Sequence, residues 1–270
     1  MNYRHAFHAG NFADVVKHLA LIAILRHLRL KEKPFAVIDS HAGRGAYDLS
    51  DKEAQRTGEA AAGIDRLRAG VTAPSDLLHA YLDFCATGPV YPGSPLITAL
   101  HLRPQDRLVA VEKHPEEALG LREVLYAFRK ARVIEGDGYA SLPSLLPPPE
   151  RRGLVLIDPP FEAPDEFATC GRAFSDAYRR FANGIYLIWF PIKSTADADR
   201  FCGEILASGA DKVLRLDIML NTVPEEKLAA AGLVIVNPPY GFVGQMHEAL
   251  AMVLPRLDAH IRCDWLAGSE

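Results

Sequence analysis

The residues best suited to chemistry follow an apolar run. GLVLI at 153–157 stops abruptly at Asp158, Pro159, Pro160 and Phe161. Proline has no N–H to donate to a sheet, so the strand must end here, with the carbonyls of Asp158 and Pro159 beyond its hydrogen bonds. A carboxylate, a carbonyl and an aromatic ring at one rigid corner can hold a planar base, because the oxygens accept from its exocyclic amine while the ring stacks on its face. The same residues also suit an ordinary strand-ending turn, so the corner alone leaves both interpretations open.

Three further acids come at the ends of predicted strands: Asp39, Glu112 and Asp137. Ligands of open α/β sheets bind beyond the carboxyl ends of the strands, so these acids are expected along one rim. Clustered carboxylates repel one another, and a purely structural sheet has no need of them. We expect Glu112 to accept from the two hydroxyls of a ribose and Asp137 from an adenine amine. Asp39 would hold either the following loop or a ligand ammonium.

The loop after Asp39 contains Gly43 and Gly45, which would let the backbone approach a ligand closely. A dinucleotide site would have a third glycine where Asp48 stands, and no long pyrophosphate cradle is evident. S-adenosyl-L-methionine has no phosphates and needs acceptors for an ammonium, a ribose and an amine. The acid-rich rim therefore favours this cofactor over a nicotinamide dinucleotide.

The elements that position these residues alternate along the chain. Apolar spacing predicts helices at 12–30, 115–130, 164–182, 196–208 and 242–258. Strands are predicted at 35–39, 107–112, 132–135, 153–158, 184–190, 212–220 and 233–236. This pattern predicts an α/β fold with a Rossmann-like, mostly parallel sheet and an antiparallel hairpin of the last two strands at one edge. Residues 46–105 break the alternation, and we interpret them as a helical insertion within a single domain of residues 1–270.

Composition bounds the class of protein. The chain has 49% hydrophobic and 24% charged residues, ordinary for a globular protein, and a net charge of −4. That charge argues against a protein that coats nucleic acid by charge alone, yet it allows a local basic face. The run from Arg26 to Lys33 is one candidate, although its cations also suit a solvated helix end.

Cysteine usage and the lack of long apolar segments indicate a cytoplasmic location. None of the four cysteines forms a CxxC pair, which is typical of free thiols rather than of disulfides or a zinc site. Nothing approaches a membrane span, and the first residues lack the apolar core of a signal peptide. His5, His8 and His18 lie close in sequence, but no acid–histidine pair and no CxxC pair supports a metal site, so no metal is expected.

Four segments resemble one family of enzymes: residues 3–18 (YRHAFHAGNFADVVKH), 39–45 (DSHAGRG), 91–95 (YPGSP) and 156–161 (LIDPPF). The chain is similar to class I S-adenosylmethionine-dependent methyltransferases of the N6-adenine type. It most resembles the bacterial large-subunit methyltransferase J family, which N6-methylates one adenosine of 23S ribosomal RNA. The resemblance covers nearly the whole chain. Phe161 stands where many N6-adenine enzymes have tyrosine, and stacking survives that change because either ring presents a π face.

The resemblance implies roles for individual residues. Asp158 would be the catalytic acid, with Pro159 and Phe161 completing the amine clamp, and Tyr3 would lie near the RNA. The implied cofactor contacts are His18, His41, Ser94, Glu112, Asp137 and Gly138. We further expect Arg4 to touch RNA, and Lys17 and His18 to lie on a segment that closes over the cofactor. Ser94, before Pro95, is expected to cap a helix whose N-terminus faces the cofactor carboxylate.

The sequence leaves several alternatives open. Asn237-Pro238-Pro239-Tyr240 matches the same signature, but it follows a later strand and is interpreted as a tight turn at the sheet edge. The same fold could act on DNA adenine or on a protein glutamine amide, although no full DNA-recognition domain is evident. A non-catalytic RNA-binding protein that senses S-adenosylmethionine is a further alternative, and it would not need the amine clamp. The expected partner is 23S ribosomal RNA, with no membrane and no metal, and the expected state is a monomer.

Overall fold

The computed structural model describes residues 5–69, 71, 74–86, 88–222 and 228–270. Two strands, β2 (Ala46–Asp48) and β3 (Val90–Pro92), pair with each other as a small separate sheet. The other strands form the central sheet; they are β1 (Ala36–Asp39), β4 (Arg107–Glu112), β5 (Ala131–Glu135), β6 (Gly153–Ile157), β7 (Ile185–Pro191), β8 (Val213–Leu220), β9 (Ala230–Val236) and β10 (Ala259–Ala267).

The central sheet has the strand order β10-β8-β9-β7-β6-β1-β4-β5. The five strands from β7 to β5 are parallel. At the other side of the sheet, β9 runs antiparallel to β7, β8 runs antiparallel to β9, and β10 runs antiparallel to β8. The predicted mostly parallel sheet with an antiparallel edge is therefore confirmed. All the parallel strands point their carboxyl ends at one rim, where the acids of β1, β4 and β6 stand.

The edge itself differs from the prediction, because β10 pairs with β8 outside the expected hairpin. No element was predicted after the last helix. The signal was present, since Ile261, Cys263 and Trp265 alternate with His260, Arg262 and Asp264 over this segment. The hairpin strands are thus internal to the sheet, and β10 and β5 are its edges.

Helices cover both faces of the sheet, as expected for parallel strands. One face packs mainly against α1 (Phe12–Arg29), α5 (Asp76–Cys85), α6 (Ser94–His101), α7 (Pro115–Val124) and α11 (Phe242–Leu257). The other packs against α8 (Gly138–Leu145), α9 (Glu166–Arg180) and α10 (Thr195–Ala207). α7 ends at Val124, earlier than predicted, and turns lead from there into β5.

Fifteen of the eighteen residues of α1 are buried, so this helix is part of the core almost all round. It packs against α5, α6 and α11. Asn11 caps its start by accepting from the N–H of Asp14, at 2.9 Å. A helix enclosed in this way is fixed in place, and its polar side chains must find partners inside the protein.

The segment between β2 and β3 is helical. It contains α2 (Lys52–Thr57), α3 (Glu59–Ala62), α4 (Ile64–Arg68) and α5, and the β2–β3 pair closes its two ends. α6 packs instead against β1 and β4. The expected capping role of Ser94 is wrong: Gly93 occupies the N-cap, and Ser94 is the first helical residue, with its side chain directed to Asp39.

Gly232 offers a test of how β9 packs on β7. Phe190 lies opposite Gly232 in the paired strands, and a Cβ on Gly232 would stand 2.1 Å from the phenyl ring. Because Phe190 is fully buried, Gly232→Ala should lower the free energy of unfolding by ~1–3 kcal/mol. Gly203, on α10, has open space around it, and Gly203→Ala should raise the free energy of unfolding by ~0.5–1 kcal/mol. Urea denaturation measures both; equal effects would contradict this packing.

Candidate active site

A cavity of about 260 Å³ opens at the carboxyl ends of β1, β4, β5 and β6. Its lining is rich in acids, with six carboxylates against two lysines. The carboxylates belong to Glu112, Glu117, Asp137, Asp158, Glu162 and Glu166, and the lysines are Lys17 and Lys113. Such a lining suits a ligand with a positive charge and hydroxyl groups, and it disfavours a phosphate-bearing one.

Asp39 ends β1 just behind the cavity wall and is fully buried. The hydroxyl of Ser94 donates to its Oδ2 at 2.7 Å, while Oδ1 is buried without a hydrogen-bond partner in the described residues. Burial raises the pKa of Asp39 to about 7, against the hydrogen bond from Ser94 and with repulsion from Asp158. An unpartnered buried carboxylate oxygen is costly, which makes Asp39 an acceptor for a cationic or hydroxylic group.

Glu112 ends β4 and holds the loop that follows β1. Its Oε2 accepts from the N–H of Gly43 at 2.8 Å, and its Oε1 accepts from the N–H of His114 at 2.7 Å. Burial raises the pKa of Glu112, against these backbone hydrogen bonds. Each carboxylate oxygen keeps capacity for a further bond, so the group can also accept from ligand hydroxyls.

His41 is fixed as a neutral acceptor on the cavity wall. The hydroxyl of Ser40 donates to the carbonyl of Leu156 at 2.9 Å, so it can only accept from Nδ1 of His41, at 2.8 Å. Burial lowers the pKa of His41 to about 4. The ring is therefore the Nδ1–H tautomer, with Nε2 left as an acceptor.

Asp137 and Gly138 begin α8 and lie next to His41 along the cavity wall. Oδ1 of Asp137 accepts from the N–H of Ala140, and Oδ2 accepts from Lys113 at 2.9 Å. Partial burial opposes ionisation, but these bonds outweigh it and lower the pKa of Asp137. A Cβ on Gly138 would stand 1.9 Å from the carbonyl oxygen of Ser40, so only glycine permits this close approach of α8 to the loop.

Asp158 follows β6 and meets the side chain of Lys17 from α1. The ammonium of Lys17 donates to Oδ2 of Asp158 at 2.5 Å and lies 2.8 Å from Oδ1 of Asp14. Burial disfavours the charged ammonium, but the two carboxylates more than offset this and raise the pKa of Lys17. His5 contacts Asp14 in turn, at 2.9 Å. One carboxylate oxygen of Asp158 is thus held by a buried cation at the cavity edge.

His18 also lies on α1, next to Lys17, and lines the cavity. Its Nδ1 is 2.9 Å from the hydroxyl of Tyr91, on whose ring it stacks at 5.5 Å. Burial lowers the pKa of His18 to about 3, so the ring is neutral. The expectation that Lys17 and His18 lie on a closing segment is wrong, because both sit inside a buried core helix.

Phe161 lies outside this first cavity. It has a left-handed backbone (φ 49°), and its ring packs on Phe167 at 4.6 Å and on the edge of Trp189 at 5.8 Å. The ring lines a second cavity, of about 320 Å³, which reaches Lys193 after β7. The two cavities share Ala163, with Asp158, Pro159 and Pro160 lining the first and Phe161 lining the second.

Gly45 also lies away from the first cavity. Its backbone is left-handed (φ 85°), its carbonyl accepts from the N–H of Gly93 at 2.8 Å, and an added Cβ would meet Leu121 on α7. Its observed contacts are therefore with neighbouring parts of the fold. Tyr3 and Arg4 lie outside the described residues.

The second signature match, at 237–240, stands at the opposite end of the sheet. Because β9 runs antiparallel to β7, its last residue, Val236, pairs with Tyr186 near the start of β7. Asn237 follows directly and therefore lies at the amino ends of the parallel strands. The side-chain amide of Asn237 donates to the carbonyls of Ala182 and Gly184, both at 2.8 Å, and Tyr240 is exposed. The interpretation as a turn agrees with this geometry.

Two residues that contact side chains of the site were not predicted from the sequence, Asp14 beside Lys17 and Trp189 beside Phe161. Asp14 stands three positions before Lys17, the spacing of neighbours on a helix, and that signal could have indicated the pair. Trp189 lies near the carboxyl end of β7, which was predicted as a strand. Ligands bind beyond the carboxyl ends of such strands, so the same argument that applied to the four acids also indicates Trp189.

The lining fits S-adenosyl-L-methionine by its chemistry. The unpartnered oxygen of Asp39, the carboxylates of Glu112 and Asp137, and neutral His41 are acceptors for an ammonium, hydroxyls and an amine. The α6 N-terminus lies beside Asp39 and offers backbone N–H groups for a carboxylate.

The chain matches known proteins over most of its length. Residues 32–267 match the family described as "Ribosomal RNA large subunit methyltransferase D, RlmJ". Ribosomal RNA large subunit methyltransferase J of Escherichia coli K12 is 37% identical, over 98% of this chain and 99% of its own. The protein of the same name from Haemophilus influenzae is 38% identical, over 93% and 92%. A crystal structure of protein LPL1258 from Legionella pneumophila superposes with a TM-score of 0.88 at 34% identity, over 97% of this chain and 99% of that one.

A mostly parallel sheet with an acid-lined cavity at its carboxyl rim defines this protein as a class I methyltransferase. The chain belongs to the ribosomal RNA large-subunit methyltransferase J family. The predicted family, the enzyme class and the S-adenosyl-L-methionine cofactor are thereby confirmed. No helix among the described residues is long and apolar enough to cross a membrane.

The pH dependence of stability tests the environment of Asp39. An unfolded Asp has a pKa near 3.9, so between about pH 4 and pH 7 the folded state keeps a proton that the unfolded state has lost. The contribution of Asp39 to stability therefore falls as the pH rises through this window. Asp39→Asn removes the buried charge and should gain ~2–4 kcal/mol over the wild type between pH 4.5 and pH 8, in urea denaturation at each pH.

Ser94→Ala is the companion variant for Asp39, because it removes the side-chain hydrogen bond that favours the charged carboxylate and leaves the contribution of the His41 backbone N–H in place. It should steepen the loss of stability with pH, the reverse of Asp39→Asn. A difference between Asp39→Asn and the wild type that stays constant from pH 4.5 to pH 8 would contradict the assigned environment.

Proposed function

We propose that this enzyme transfers a methyl group from S-adenosyl-L-methionine to N6 of one adenosine in 23S ribosomal RNA. The observation that carries the proposal is the corner at Asp158 and Pro159, where β6 ends beside the acid-lined cavity. Family membership supports the substrate, because the curated relatives are named as ribosomal RNA large-subunit methyltransferases.

In this proposal the first cavity holds the methyl donor. Asp39 and the first turn of α6 at Ser94 receive its amino-acid end, and Glu112 accepts from its ribose hydroxyls. Asp137, Gly138 and His41 surround its adenine, while Gly43 and His18 complete the wall. The bound donor supplies a methyl group made electrophilic by a positively charged sulfur. The six carboxylates of the lining stabilise that positive charge.

Asp158 and Pro159 act on the target amine. The lone pair of an adenine amine is delocalised into the ring, so the amine is a weak nucleophile. In our proposal one N–H donates to the Asp158 oxygen that Lys17 does not hold, and the other to the carbonyl of Pro159. These bonds favour a pyramidal, more nucleophilic nitrogen. As that nitrogen gains the methyl group and the donor sulfur becomes neutral, the surplus N–H proton would pass to the Asp158 oxygen that accepts from it. Lys17 holds the carboxylate of Asp158 in place. In this proposal most of the acceleration of methyl transfer comes from positioning and electrostatics.

Phe161 is proposed to stack on the target base, a contact worth ~1–3 kcal/mol in single-strand binders. Its ring is held by Phe167 and Trp189 at the second cavity and follows Asp158 by three residues, so in our proposal the stacked base directs its amine to Asp158. An adenine paired within a helix cannot reach this position. The target must therefore be in a loop, in a bulge or flipped out.

Other parts of the proposal come from the sequence. Tyr3 and Arg4 are proposed to contact the RNA, and Lys17 to reach the substrate only through Asp158. We propose a monomer that forms one domain with a helical insertion, that acts without a metal and that works in the cytoplasm, where ribosomal RNA is found.

Two variants test the choice of motif. Asp158→Ala removes the amine acceptor and should reduce methyl transfer at least ~100-fold, as loss of a key transition-state hydrogen bond does. Donor binding by calorimetry should persist, because the donor contacts lie elsewhere in the cavity. Asn237→Gly keeps the left-handed backbone of the second match and should leave transfer within about twofold, given its position at the far end of the sheet.

The assay follows radiolabelled methyl transfer to 23S RNA, DNA and protein in parallel, with RNA from a strain lacking the enzyme. Label in DNA or protein but not in RNA would contradict the proposed substrate. Near-normal turnover of Asp158→Ala would contradict the proposed mechanism.

A further inference from the structure

The amino ends of the parallel strands carry a dense positive charge. At the amino ends of β1, β4, β5 and β6 lie the segments 29–33, 103–107, 129–132 and 150–152, of which the second and third include the first residues of their strands. These four segments, the basic pole, hold ten cations against three acids, a net charge of +7 in a chain whose net charge is −4. The other residues together carry −11.

Most of these cations face solvent. Seven are exposed: Arg29, Lys31, Lys33, Arg129, Lys130, Arg132 and Arg151. Two of the three acids pair with cations of the pole that are not among these seven: Asp106 with Arg103 and Glu150 with Arg107, both at 2.8 Å. Within the described part of the chain, none of the seven exposed cations has an assigned ion pair. The dipole of α1 accounts for Arg29 but not for the cations before β5 and β6.

The scaffold under the basic pole is rigid. Arg103 donates to the carbonyl of Lys31 at 2.9 Å, and Arg152 donates to the carbonyl of Lys33 at 3.0 Å. Both guanidinium groups also lie over the buried ring of Phe35, at 5.6 and 5.9 Å. The backbone between α1 and β1 is thus held from two sides, which presents the exposed lysines from a fixed surface. Tyr126, 91% exposed in the adjoining connection, adds an aromatic face for an unpaired base.

We infer that the basic pole is a second RNA-binding surface, which holds the phosphate backbone of a part of the substrate distant from the methylated adenosine. This inference rests on the proposed RNA substrate. β6 separates Arg152 from Asp158 by six residues, which is ~20 Å of extended chain, so the two sites lie at opposite ends of the sheet. An RNA must be folded or long enough to reach both. The basic pole therefore favours a large RNA over a short fragment, without reading its sequence.

The test compares two triple variants with the same change in charge. Lys31→Gln, Lys33→Gln and Lys130→Gln neutralise the basic pole and leave the backbone carbonyls bound by Arg103 and Arg152 in place. Arg122→Gln, Arg172→Gln and Arg262→Gln remove three exposed cations elsewhere on the surface. Thermal melting confirms that both are folded. Binding to a protein-free 23S transcript is measured at several KCl concentrations, beside a short fragment that carries the methylated adenosine.

The pole variant should bind the transcript at least ~10-fold more weakly, with a log–log salt slope smaller by ~2–3, close to 0.9 per lost phosphate contact. Its binding to and turnover of the short fragment should match the wild type, and the control variant should match the wild type on both RNAs. Equal transcript affinity of the two variants at every salt concentration would overturn the inference. It would do so even if the pole variant lost binding to phosphatidylserine vesicles, since that result would assign the surface to a membrane.

Failure of the proposed function gives a different result. If the wild type transfers no methyl group to either RNA, the proposed substrate is wrong and the inference falls with it. If the wild type methylates both RNAs and the pole variant behaves like the control, only the second surface is wrong.

Discussion

The contact between Lys17 and Asp158 joins the two halves of the candidate active site. Asp158 depends on the end of β6, and Lys17 depends on a helix buried nearly all round. Removing one partner from a buried ion pair is costly because the other charge loses compensation, and without Asp158 the ammonium of Lys17 would keep Asp14 alone. The core helix and the reactive corner therefore cannot shift independently, and Asp14 and His5 extend the same constraint towards the start of the chain.

The remaining polar groups of the site are organised around that constraint. His18 and His41 are kept neutral by burial, so the cations of the lining are lysines paired with carboxylates. Asp39 is left with one unpartnered oxygen, and Glu112 holds two backbone N–H groups while facing the same cavity. The result is a concentration of negative charge at the carboxyl rim of the sheet. The cations that would neutralise it lie at the other end, before the strands begin.

This division of charge suits an enzyme that brings together a cationic donor and a polyanionic substrate. The two ligands demand opposite potentials, and a parallel sheet offers two separated rims on which to place them. The second cavity adjoins the first at Ala163 on the same rim, and its lining contains Phe161 and Lys193 but none of the six carboxylates of the first.

Much of this arrangement follows from the sequence. Strands that end in Asp39, Glu112 and Asp158 were predictable from apolar runs, and a parallel sheet must gather their ends. Tertiary contacts were not predictable in the same way. A helical pattern at 12–30 cannot tell that Lys17 points at Asp158, 141 positions away, or that the ring of Phe161 turns to Phe167 and Trp189.

The errors have physical causes of the same kind. Ser94 looked like a helix cap because serine before proline usually is one, but the buried carboxylate of Asp39 competes for its hydroxyl. β10 was not predicted, although its alternation is regular. What the sequence could not indicate is that this segment pairs with β8 and forms an edge of the sheet. The basic pole is spread over four segments, and only the sheet brings them together.

The most direct test of the central claim is a crystal structure of the enzyme with S-adenosyl-L-homocysteine and an adenosine-containing RNA fragment. We expect the sulfur in the first cavity and the adenine N6 within ~2.6–3.2 Å of both an Asp158 oxygen and the Pro159 carbonyl. An adenine whose amine is bound elsewhere, with Asp158 still engaged only by Lys17, would contradict it.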